Sequence, residues 1–73
     1  MEDYQERMLN ELNELSEKIC KLENFTKTET FRNLDEHRRT LLVLQNNAMA
    51  QYALILACRC TAEGIDKENI LAI

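Results

Sequence analysis

The sequence has no proline and only one glycine, Gly64, so nothing forces a helix to break before the C-terminal end. Cysteine is present but in odd number: Cys20, Cys58 and Cys60. With no secretory signal segment, these read as reduced thiols packed as small hydrophobes, and disulfides are not expected. A metal site is not expected either. Cys58 and Cys60 are two residues apart and point to different sides of a helix, while the single histidine, His37, is distant in sequence. There is no glycine-rich phosphate loop and no nucleophile beside a base, so the chain reads as a binding protein without a cofactor rather than an enzyme. Basic residues are in the minority, nine Lys and Arg against 13 Asp and Glu for a net charge of −4. That balance lacks the basic stripe that DNA or RNA binding requires. A small anion needs only two or three converging cations, and that option stays open.

What is present is a 73-residue chain with room for one domain over 1–73. A chain this short buries only roughly 60% of the surface its unfolded form exposes. With disulfides and metals set aside, self-association is the remaining way to complete a core.

The apolar residues Tyr4, Met8, Leu12, Leu15, Ile19 and Leu22 alternate four and three apart after Met8, predicting an amphipathic helix with one seam over about 3–25. Its other face carries Glu14 with Lys18 and Glu17 with Lys21, i,i+4 pairs on a solvated surface. Residues 26–32, rich in threonine, read as a turn, with Phe31 packing back as a plug. A second helix is expected over about 33–63, capped by Asn33 with Glu36 reaching back. Gly64 is expected as the left-handed residue closing it, with Ile65 as the accompanying hydrophobe. A short helical turn over 66–73 completes the expected fold: an all-α, two-helix antiparallel hairpin assembled into a homo-oligomeric bundle.

The second helix carries the argument for assembly. From Thr40 to Cys58 there are nineteen consecutive uncharged residues. Leu41, Leu44, Ala48, Ile55 and Cys58 form one face, assigned to packing on the first helix. Leu42, Met49, Ala53, Leu56 and Cys60 form a neighbouring face, assigned to another subunit, because one partner helix cannot cover both. A membrane span would also suit the length. Gln45, Asn46, Asn47 and Gln51 near the middle argue against it, since an amide in lipid is costly without a partner.

Arg38, Gln45, Tyr52 and Arg59 recur every seven residues and so form a polar column on that helix. Pairing across an interface explains such a column, and it is the weightier reading because interfaces are enriched in Arg and Tyr. A ligand site explains it too. Arg forks suit phosphate and Tyr stacks on a base, with Gln51 and Tyr4 nearby in type and Lys27 and Thr28 closing a pocket from the turn.

Tyr4-Gln5-Glu6-Arg7, Glu14-Leu15 with Lys18-Ile19 and Leu22, and Leu41-Leu42 with Gln45, Met49, Tyr52, Ile55-Leu56 and Arg59 resemble the short helical-hairpin proteins of bacteriophages, among them the anti-CBASS and anti-Thoeris sponge proteins. The resemblance spans about residues 3–60. It implies oligomers, often hexamers, that sequester a cyclic oligonucleotide or cyclic ADP-ribose-type signal between subunits in the cytoplasm of an infected bacterial cell. The short turn, with Lys27 as its one cation, and the Cys58-Arg59-Cys60 end depart from the pattern. Two other classes fit the same residues: a protein-binding anti-defence module of the anti-CRISPR kind, and a purely structural helical oligomer.

Overall fold

The structure, a computed structural model, describes residues 3–65, so the turn expected over 66–73 lies outside the described residues. All regular structure among them is helical: α1 (Asp3–Phe25), α2 (Glu29–Arg32) and α3 (Glu36–Ala62). The molecule measures 45 × 17 × 16 Å, two helices wide and little longer than the roughly 40 Å of α3 itself. α1 and α3 lie side by side in opposite senses. Tyr4 at the start of α1 meets Glu63 just past the end of α3, and Glu11 meets Tyr52.

The seam of α1 is where its spacing puts it. Leu12, Leu15 and Ile19 are buried, with Met8 and Leu9 packed against them. On α3 the two apolar faces exchange roles relative to expectation. Ala53, Leu56 and Cys60 are buried against α1, with Met49 and Ala57 beside them, whereas Leu41, Leu44 and Ile55 stand 51%, 57% and 58% exposed. The physical reason is size. Ala53, Ala57 and Cys60 are small, so the bulky leucines and isoleucine of α1 can sit down between them and bring the two backbones close.

α3 ends as its sequence implies. Gly64 has φ 81°, its amide donates to the Thr61 carbonyl, and the Ile65 amide donates to the Cys60 carbonyl. That is the Schellman pattern, with Ile65 buried in the same cluster as Cys60. The other end differs from expectation. α3 starts at Glu36 with Asp35 as its N-cap, not at Asn33, and no side chain caps it, because the Asp35 carboxylate pairs instead with Arg38. Within the expected turn a four-residue helix forms over Glu29–Arg32. The Thr28 hydroxyl makes this possible: it accepts from the Phe31 amide at 3.2 Å and donates to the Phe25 carbonyl at 2.6 Å. Phe31 packs edge-on against Phe25, ring centroids 5.9 Å apart, as the plug that was expected.

All three cysteines carry free thiols, and burial pushes the Cys60 thiol above its usual range, with Arg59 opposing. A protonated, buried thiol is inert. Adding dithiothreitol is therefore expected to leave the melting temperature unchanged, and a fall of several degrees would reveal a stabilising disulfide between copies.

Candidate functional site

α3 packs on α1 along its inner edge and leaves its outer edge bare. Leu41, Leu44 and Ile55 recur there at helical spacing, and Val43 and Leu54 widen the apolar surface at 45% and 62% exposed. No residue before Ala53 on α3 is buried. The helix is long and apolar enough to cross a membrane by length and composition. Two of the residues singled out in the sequence, Tyr52 and Arg59, lie on the flank between this bare face and the seam with α1.

Tyr52 and Arg59 act together. The Tyr52 hydroxyl donates to the Glu11 carboxylate across the seam. That hydrogen bond, then partial desolvation and the charge of Glu11, raise the phenol above its ordinary 10.0, while Arg59 pulls it down. Raising a phenol's pKa favours the neutral form in the folded state. Its contribution is full below pH 10 and is lost as pH rises through the folded value. In a Tyr4→Phe background, phenolate absorbance should titrate above 10, and Glu11→Gln should bring the midpoint back down. An unchanged midpoint would mean that Glu11 does not hold the phenol.

The other residues of the expected site are spread along the rod. Arg38 and Arg59 are 21 residues apart on one helix, about 31 Å along its axis, so one chain cannot bring both to a single phosphate. Arg38 instead pairs with Asp35 at 3.3 Å, both side chains largely in solvent, a pairing worth little. Gln45 and Gln51 are exposed on α3. Tyr4 donates to the Glu63 carboxylate at 3.0 Å, and Gln5 donates to the Glu63 carbonyl at 2.6 Å. In the turn, the Lys27 carbonyl accepts from Arg32 at 3.3 Å, and Thr28 is occupied as a cap, so its hydroxyl is not free to close a pocket.

Glu11 was not singled out in the sequence, and Glu63 was named only, with Glu14, as an acid that could pair with the polar column, not as the partner of Tyr4. Nothing local marks them, because their partners lie 41 and 59 residues away. Also missed is an open groove of about 410 Å³ beside the turn, lined by Phe31, Glu36, Arg39, Thr40, Val43 and Leu44. The four-residue step from Arg39 to Val43 places a cation and a hydrophobe on one face, the one sequence signal for it.

Residues 2–62 match the family model for Sequestin. The chain belongs to the Sequestin family. Neither curated proteins nor solved structures give a match. The Sequestin match covers all of α1, α2 and α3, so both the Tyr52–Arg59 flank and the groove fall inside it.

Proposed function

We propose that this chain is a phage-type inhibitor of bacterial immune signalling: it binds a cyclic nucleotide second messenger between copies of itself and holds it without cleaving it. The observation that carries the reading is the position of Tyr52 and Arg59 at the margin of the bare apolar face of α3. If that face is covered by a second copy, a phenol and a guanidinium stand at the rim of the joint, the place for a stacking surface and a phosphate fork. Family membership supports the same role, since the name Sequestin denotes sequestration. A protein partner suits the face better than a bilayer does. Gln45, Asn46, Asn47 and Gln51 sit mid-helix, and the charged α1 lies along the same length. In this reading the chain acts by binding, in the cytoplasm of the infected cell, and not as an enzyme; among the described residues no paired acid and base stands ready to cut a phosphodiester.

The test is the melting temperature of the parent and of Arg59→Ala, each with and without a panel of cyclic di- and trinucleotides and cyclic ADP-ribose. A ligand bound only by the folded state at a hundred times its Kd adds about 2.7 kcal/mol. For so small a domain that is a rise on the order of 10 °C or more. The rise should appear in the parent and vanish in Arg59→Ala. If no ligand moves the parent and Arg59→Ala alone weakens the empty protein, the column is architecture and the reading is wrong.

A further inference from the structure

The groove beside the turn is separate from the Tyr52–Arg59 flank, although its Val43 and Leu44 belong also to the bare face of α3, so that a second copy on that face would border it. Arg39 is partly buried in it, and its Nε, like Asn13 Oδ1, Ser16 Oγ and Asn46 Oδ1 elsewhere, is shielded from solvent yet meets no partner among the described residues. A buried N–H without an acceptor is uncommon in native structures and calls for one from outside. Arg38, next in sequence, shows the contrast, because its Nε already pairs with Asp35 in open solvent. Beside it the lining is apolar: Val43 and Leu44 on α3 and Phe31 from the short helix α2. Phe31 is held in place from both ends, its amide by the Thr28 hydroxyl and its ring by Phe25. Glu36 lines the same groove, and no ion pair joins it to Arg39 among the described residues.

We infer that this groove is a nucleotide site, with Arg39 taking the phosphate, Phe31, Val43 and Leu44 facing the base, and Glu36 accepting from an N–H or O–H of the base or ribose. The inference rests on the sequestering role proposed above and adds a place and a chemistry that the polar column does not contain. Glu36 is what narrows the ligand class. A bare anion on Arg39 would meet the carboxylate's repulsion, whereas a nucleotide offers an anion for the guanidinium and a donor for the carboxylate in one molecule. A volume of about 410 Å³ is within the range of about 300–1,000 Å³ for small-molecule sites.

A chain of 73 residues is small enough for residue-level nuclear magnetic resonance. The full chain is titrated with adenosine monophosphate, with cyclic di-adenylate and with inorganic phosphate, following backbone amides and the arginine Nε–H signals. The expected result is that both nucleotides shift the Arg39 Nε–H together with Phe31, Thr40 and Val43, and that phosphate alone does not. Arg39→Ala should weaken nucleotide binding at least about tenfold, the worth of a charge-assisted hydrogen bond, with Arg38→Ala unchanged. Arg39→Lys, which keeps the charge but not the fork, should restore only part of it. Helical circular dichroism confirms that each variant folds. Shifts centred on Tyr52 and Arg59 with a silent Arg39 would overturn this site and leave the sequestering role standing. Silence everywhere would overturn both. Equal shifts with phosphate would reduce the site to an adventitious anion contact, and an Arg39 signal that moves only with protein concentration would show its acceptor to be another copy.

Discussion

Leu56→Glu is expected to leave no folded protein at 25 °C. Leu56 is fully buried between the helices, in a core that has seven buried hydrophobic members among the described residues. Truncating a buried leucine to alanine already costs about 2–5 kcal/mol. A chain of this length has a total stability of roughly 4–11 kcal/mol. A carboxylate adds the cost of burying a charge with no partner, and no cation is buried among the described residues to meet it. Far-UV circular dichroism should show the loss of helix, with Leu56→Ala as the milder companion that lowers the urea midpoint while still folding. A Leu56→Glu protein that stays helical and merely changes its assembly state would mean that Leu56 faces another subunit and not α1.

One residue earlier the outcome should reverse. Ile55 is 58% exposed in the single chain, so Ile55→Glu removes little from the fold. What it removes is the proposed joint between copies. Covering an isoleucine contributes about 1.5–3 kcal/mol, and a glutamate there must also be stripped of water. The dissociation constant should therefore rise about a hundredfold or more. Sedimentation velocity should find the parent assembled at micromolar concentration and Ile55→Glu as a helical monomer of 8.6 kDa. A parent that sediments as the monomer would remove the assembly, and with it the site between copies.

That contrast between neighbours also marks where the sequence was readable. On α1 the polar residues outnumber the apolar ones, so the few hydrophobes define one seam, and Leu12, Leu15 and Ile19 could be read as core from their spacing alone. α3 offers no such contrast. With nineteen uncharged residues in a row, periodicity finds two acceptable faces, and the choice fell to side-chain volume, which spacing does not report. Each face held an alanine and a cysteine among its larger residues, so Ala53, Leu56 and Cys60 were recognised as a face but assigned to another subunit rather than to α1. Gly64 was legible because a positive φ leaves few alternatives. The start of α3 was not, since Asn33 and Asp35 are both good caps and the i,i+3 pair that engages the Asp35 carboxylate with Arg38 was not weighed. For the candidate site, Tyr52 and Arg59 could be singled out by their type and heptad spacing. Glu11 could not, because its relation to Tyr52 exists only once the chain has folded back.

The burial pattern along α3 also bears on the order in which the chain acquires structure. Its buried residues lie from Ala53 onward, opposite the N-terminal half of α1, across a loop of roughly forty to sixty residues. Closing such a loop is entropically opposed and is rewarded only when the far ends meet, so these distant contacts, not the turn, gate folding. Once formed, the helix is unevenly secured. Amides near Leu56 are expected to exchange with solvent only when the whole molecule opens, whereas those from Thr40 to Ala48 should be released by local fraying that leaves Ala53, Leu56 and Cys60 packed. The segment that opens most readily is the one carrying Arg39, Thr40 and Val43. A ligand or a second copy that settles there would be recorded as slowed exchange in that half of α3, before any change is visible around Leu56.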